Sequence, residues 1–238
     1  MAENAIIAVN EVSKAFTRPV LKKVSLSVDT PQSLFVCGIN GAGKSTFLKL
    51  LAGLLQPDSG SVFIKGKCLR KETEYVKSKL GIIMHQSMVY PDLTVLENLD
   101  FFARLYGVPG RQERIRLLLE QVGLTAFRYD KASVLSRGLL QRLSIARAMV
   151  HEPEVMFADE PFTGLDMTST DYLTAMLSDF RSRGGTVIMT THDVSQGLRC
   201  ADRVVVIDQG GIILDRGISQ IDPSRFANDY VQYARESA

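Results

Sequence analysis

The chain of 238 residues has no tryptophan, only eight prolines and only three cysteines. The cysteines, Cys37, Cys68 and Cys200, are odd in number and lie far apart. That excludes a disulfide framework and a cysteine metal cluster, and such usage suits a reducing compartment. No apolar run reaches the ~18 residues needed to span a bilayer. An early Glu3 with no long apolar stretch behind it argues against a signal peptide. Net charge is also scarce: 28 Lys and Arg face 26 Asp and Glu, leaving +2. That balance does not fit a general nucleic-acid binder, which carries a basic excess, nor an acidic disordered tail. Repeats, low-complexity tracts and linkers are missing too. What is present is ordinary globular composition, 45% apolar and 23% charged. A chain of this length buries roughly 70–75% of its unfolded surface and needs no staples. One domain, or one domain with an inserted lobe, fits best.

The hydrophobic pattern predicts an α/β chain. Short β-branched runs at 6–9 and 24–28 precede an apolar run at 33–38 that ends in a glycine-rich turn, which reads as a buried central strand. Helical spacing follows over 44–55, closed by a turn signal at 56–60. Strands are expected at 62–64 and 81–84. Residues 94–106 read as a helix with Thr94 as cap and Glu97 three residues on, a capping box. Residues 107–110 break it, and helices are expected again over 111–122 and 139–150. Buried strands follow at 154–158 and 186–190, then a hairpin over 202–214 turning at Gly210-Gly211. A short helix is expected at the C-terminus. Residues 1–86 and 154–220 are thus expected to form an α/β core, and 87–153 an inserted helical lobe.

Residues 38–45 read G-I-N-G-A-G-K-S, the G-x-x-x-x-G-K-[ST] phosphate loop, after a strand and opening a helix as its chemistry requires. Gly41 and Gly43 let the backbone curl, so that the N–H groups from Asn40 through Ala42 to Thr46 point at phosphate. The helix N-terminus adds its positive end. Lys44 supplies charge to the β- and γ-phosphates, and Ser45 a hydroxyl to Mg²⁺. Asp159 ends an apolar strand and can reach the same Mg²⁺ through water. Glu160 beside it can polarise an attacking water as general base.

These residues resemble the ATP-binding subunits of ABC transporters, over nearly the whole chain. The resemblance implies a P-loop NTPase core of the ABC ATPase type, mostly parallel sheet with antiparallel N-terminal strands, with an inserted helical subdomain, a C-terminal helix over 221–238, and ATP and Mg²⁺ as ligands. By the same resemblance Glu160 is the catalytic glutamate and His192 the histidine that contacts the γ-phosphate. Gln86 would be a Mg²⁺ and water ligand, Gly164-Leu165-Asp166 a subunit-contact loop, and Ser136 with Gly138 the signature pair that grips a partner's γ-phosphate. The signature here reads L-S-R-G-L at 135–139 instead of L-S-G-G-Q. Arg137 in that motif is a solvated helix-start charge or a phosphate ligand. Phe16, 28 residues before Lys44, stacks on adenine or simply packs at a strand end. His85 and His151 read as structural.

The resemblance further implies two subunits, identical or paralogous, sandwiching two ATP, held peripherally at the cytoplasmic face of the inner membrane by a separate membrane permease. The segments at 84–108 and 159–166, with Ser136-Arg137-Gly138, look like exporter ATPases. They are most similar to the haem-exporter subunit of cytochrome c maturation, with drug, lipid or polysaccharide export as the alternative. A soluble, non-transport ATPase of the same family, or a plain phosphate-loop kinase or GTPase, explains fewer of these residues.

Overall fold

The computed structural model describes residues 5–84, 86–222, 224–226 and 230. Strands β1 (Ile7–Ala15), β2 (Pro19–Val28) and β3 (Ser33–Cys37) lead into the phosphate loop and α1 (Lys44–Leu51). Then come β4 (Ser59–Ile64), β5 (Lys67–Cys68), α2 (Thr73–Lys77) and β6 (Leu80–Ile83). The inserted lobe holds α3 (Val95–Leu105), α4 (Arg111–Gln121) and α5 (Arg137–Met149). The chain returns through β7 (Val155–Asp159), α6 (Met167–Ser182), β8 (Thr186–Thr190) and α7 (Val194–Cys200), and then the hairpin of β9 (Arg203–Asp208) and β10 (Gly211–Gly217).

Two sheets form. One is antiparallel, in the order β2-β1-β4-β5; the other runs β10-β9-β3-β8-β7-β6. Its inner pairs are all parallel, and only β10 opposes its neighbour. Period-2 alternation divides β3 between two cores. Leu34 and Val36 face the antiparallel sheet and α1, whereas Phe35 and Cys37 face α6, α7 and the helical lobe. A strand buried on both faces has no polar side to show, which is why residues 34–37 are uniformly apolar.

The register sets the site. Val36 of β3 and Asp159 of β7 both lie opposite Thr190 of β8, so three parallel strands end side by side. Ligands of such sheets bind outside the carboxyl ends of the strands.

In the lobe the expected capping box is present: Thr94 Oγ1 accepts from Glu97 N at 3.1 Å, and Glu97 Oε2 accepts from Thr94 N at 2.8 Å. Asn98 is fully buried and ties down the preceding loop. Its Oδ1 accepts from Tyr90 N, and its Nδ2 donates to the carbonyls of Tyr90, Leu93 and Thr94.

Several boundaries differ from expectation. Helix α1 stops at Leu51 because Gly53 takes φ +67° and turns the chain before the Pro57 turn. Helix α5 starts at Arg137 rather than 139, capped by Ser136, whose hydroxyl accepts from Leu139 N. The β9–β10 hairpin turns at Gln209-Gly210, not Gly210-Gly211. Both residues take positive φ, 46° and 83°, as a type I′ turn demands, and Asp208 pairs with Gly211. Strands β1 and β2 run on to Ala15 and from Pro19, and α2, α6 and α7 fall where no helix was placed. The helix expected over 221–238 lies largely outside the described residues, as does His85.

Candidate functional site: a phosphate loop facing two carboxylates

The phosphate loop is wound back on itself. Gly41 and Gly43 take φ of +83° and +104°, a region costly for any residue with a side chain. Lys44 Nζ, curled into this turn, donates to the carbonyls of Gly38 at 2.8 Å and Ile39 at 3.1 Å. Burial pulls its ammonium below the usual lysine range, while Glu160, Cys37 and Asp159 pull it back up. Burial pushes the Cys37 thiol up to about 12, so this cysteine stays protonated and inert. Asn40 and Gly41 are exposed at the lip of the loop, with Ala42 buried beneath and Thr46 half-buried in α1.

Asp159 is buried at the tip of β7. Its Oδ1 accepts from Ser45 Oγ at 3.0 Å and from Thr190 Oγ1 at 2.6 Å. A lone carboxylate at this depth is costly unless hydrogen-bonded, and these two hydroxyls compensate it. Ser45 and Asp159 make an oxygen-only donor pair, the chemistry that suits a hard cation such as Mg²⁺. Sequence reasoning missed Thr190. The signal available was its position at the end of a strand parallel to β7, two residues before His192.

Glu160 takes φ +52°, uncommon for a residue with a side chain. Its N–H donates to Thr190 O at 3.1 Å, which holds the turn. Its Oε2 accepts from His192 Nδ1 at 2.8 Å, from His192 N at 3.2 Å and from Thr163 Oγ1 at 3.4 Å. The His192 side chain is otherwise 69% exposed, open to whatever the loop binds. Thus Lys44 and Ser45 at the start of α1, Asp159 and Glu160 at the end of β7, and His192 just beyond β8 meet at one edge.

Other expected site residues stand apart from this cluster. Gln86 is exposed and makes no hydrogen bond to Ser45 or Asp159. It lines a cleft of about 530 Å³ with Arg137, Gln141, Thr163 and Leu165. The reason is topological: β6 is the outer strand of the sheet, beyond β7. Ser136 and Gly138 open α5, and no hydrogen bond of theirs reaches the phosphate loop of the same chain. Asp166 caps α6 by accepting from Ser169 N at 2.8 Å, and that hydrogen bond holds its carboxyl below the usual range. Phe16 is 60% exposed, so it is not core packing. A Cβ at Gly43 would stand 3.0–3.1 Å from Leu21 and Val20, which places the strand that follows Phe16 directly beside the phosphate loop.

A phosphate loop, a buried hydroxyl-bonded aspartate and a glutamate–histidine pair at one sheet edge define the class: a phosphate-loop nucleotide hydrolase. The ABC transporter family model matches residues 21–163. The linearmycin resistance ATP-binding protein LnrL of Bacillus subtilis (strain 168) is 35% identical, over 87% of this chain and 68% of its own length. The phosphonates import ATP-binding protein PhnC of Trichormus variabilis is 33% identical, over 84% and 87%. Among solved structures, the ATP-binding cassette MJ0796, a post-hydrolysis dimer with ADP and Pi, superposes with a TM-score of 0.81 at 26% identity, covering 89% of this chain and 98% of that one. The chain belongs to the ABC transporter family as an ATP-binding, ATP-hydrolysing subunit.

Proposed function

We propose that the chain, a single cassette over 1–238, powers export through a separate permease, paired as a dimer that sandwiches two ATP. The observation that carries this reading is the edge cluster, where Ser45, Asp159 and Thr190 form one hydrogen-bonded set beside the Glu160–His192 pair.

In this reading the N–H groups of residues 40–46 hold the β- and γ-phosphates, and Lys44 trades its two loop carbonyls for phosphate oxygens. Ser45 and Asp159 would hold Mg²⁺, and Gln86 would be a further ligand from the neighbouring cleft. The ion supplies charge neutralisation on the phosphates. Glu160 accepts a proton from the attacking water, and His192 orients the shared Oε2 and faces the γ-phosphate. Phe16 stacks on the adenine. Ser136 and Gly138 serve the partner's nucleotide, since among the described residues no hydrogen bond of theirs reaches the phosphate loop of their own chain. Asp166 acts at the subunit contact as a helix cap, through backbone placement. The dimer seen for MJ0796 supports this pairing.

Among the described residues no helix is long and apolar enough to cross a membrane, which agrees with a peripheral subunit held at the cytoplasmic face by its permease. The haem cargo suggested by resemblance rests on 84–108, 136–138 and 159–166 alone. The relative named for linearmycin resistance favours the alternative, a drug- or lipid-like cargo. Import is the second reading, favoured by PhnC, which is nearly as similar.

Glu160→Gln tests the core of the proposal. It removes the proton acceptor and leaves the phosphate contacts, so turnover falls by about 10²–10⁴-fold and an ATP-bound dimer accumulates in sizing runs. A variant that binds Mg-ATP yet stays monomeric at every protein concentration overturns the sandwich.

A further inference from the structure

The mechanism above leaves Arg137 without a task, although it is where the signature departs from glycine. Among the described residues its guanidinium makes no hydrogen bond and no ion pair. It lies instead against the turn at Gly164. A Cβ at that glycine would overlap the terminal nitrogen and come within 2.8 Å of Cζ and 3.0 Å of Cδ. Gly164 itself takes φ +72°, so a side chain is disfavoured there on both counts.

One hydrogen bond fastens the start of α5 to the same segment, and a close approach sets α5 against α6. Gln141 Nε2 donates to Pro161 O at 2.9 Å. At Gly138 a Cβ would stand 2.6 Å from Ser169 Oγ in the first turn of α6. The segment bound in this way starts at Glu160 and carries Thr163, whose hydroxyl donates to Glu160 Oε2. Gly164 is the next residue along, so any shift of its turn moves that hydroxyl.

We propose that Arg137 is a positioning residue for Glu160: its side chain braces the Gly164 turn and thereby holds Thr163 on the carboxylate of the same chain. The proposal rests on the reading of Glu160 as general base. It assigns the Arg137 side chain, which keeps an exposed side, to the loop within its own subunit rather than to the partner's phosphate. A glycine at 137 leaves the turn unbraced, and a lysine has the reach without the planar face that lies against Gly164.

The test is a double-mutant cycle on Mg-ATP turnover by the purified full chain. Arg137→Gly is expected to lower kcat by about fivefold while KM stays within about twofold, because a positioning loss acts on the chemical step. In a Gly164→Ala background the added methyl has already displaced the guanidinium, so the same substitution changes kcat by less than about 1.5-fold. Arg137→Lys recovers part of the loss. If Gly164→Ala does not fold, Thr163→Val provides the second background, since it removes the hydroxyl through which the brace acts.

Equal losses in both backgrounds overturn the proposal. So does a raised KM at unchanged kcat, which assigns Arg137 to the partner's nucleotide, and so does wild-type kinetics for Arg137→Gly. Hydrogen–deuterium exchange gives a readout that needs no turnover. Residues 160–166 exchange faster in Arg137→Gly while 140–149 do not change, and unchanged exchange over 160–166 overturns the brace. Full turnover by Glu160→Gln would sink the reading of the base, yet leave the exchange result standing, so the two failures are distinguishable.

Discussion

Thr190 shows how much one hydroxyl can carry. It donates to Asp159 Oδ1, its Oγ1 also lies 3.2 Å from the Glu160 N–H, and it sits wholly buried between the phosphate-loop strand and β7. Thr190→Val keeps the shape and removes both bonds. One lost hydrogen bond to a charged group is worth about 1.5–3 kcal/mol. The expected outcome is a loss of about tenfold or more in turnover, with a raised Mg²⁺ requirement in a metal titration of activity. His151 acts on stability instead. Its ring stacks on Tyr106 at 3.8 Å, and its Nε2 lies 3.0 Å from Leu80 O. Burial pushes its imidazole down to about 4, the Leu80 bond opposes this, and Arg147 and Arg114 add to the lowering. Unfolded, the ring titrates near ~6.5. Between the two values the unfolded chain binds the extra proton, so this contribution is complete above about 6.5 and is lost as pH falls toward 4. His151→Phe keeps the stack and cannot titrate. Urea midpoints should therefore fall more for wild type than for the variant between about pH 7.5 and about pH 4.5.

At the scale of the element, the loop before α3 is tied down by the Asn98 side chain. Truncating this fully buried amide strands the N–H of Tyr90, while the carbonyls of Tyr90, Leu93 and Thr94 keep backbone donors. An orphaned buried group costs about 1–3 kcal/mol, so Asn98→Ala is expected to lose about 2 kcal/mol in denaturant melts. The capping box beside it was legible in the sequence, because Thr94 and Glu97 are three residues apart and a helix brings them together by local geometry alone. Asn98 was not legible. Its partners at 90–94 are met only after the loop has folded back, and an asparagine inside an apolar stretch gives no sign of that. The same holds for α6 and α7, whose mixed faces leave a weak periodic signal.

For the whole molecule, the decisive features are the shared sheet edge and the helical lobe that holds Ser136 away from it. In the proposed reading a second chain brings a signature pair to each phosphate loop, and a permease receives the work. Exposed Met88, Tyr90, Phe101 and Leu105 on the lobe give such a chain an apolar surface. Purifying the tagged chain from detergent-solubilised membranes should therefore bring down a multi-span permease. A haem-like Soret band in that complex would restore the haem cargo. A permease without haem supports a drug- or lipid-like cargo, and transport assayed in inverted vesicles separates export from import. Recovery with no membrane partner would count against the transporter reading.

The sequence by itself determined the phosphate loop, the carboxylates at the end of β7, the capping box and the α/β order, because each is written in contiguous residues or in a local period. Tertiary structure alone decided which side chains meet. Thr190 on Asp159, His192 on Glu160, Arg137 on Gly164 and the displacement of Gln86 to a neighbouring cleft join residues tens of positions apart. Such pairings follow from strand register and from helix placement on the sheet, and no local pattern encodes either.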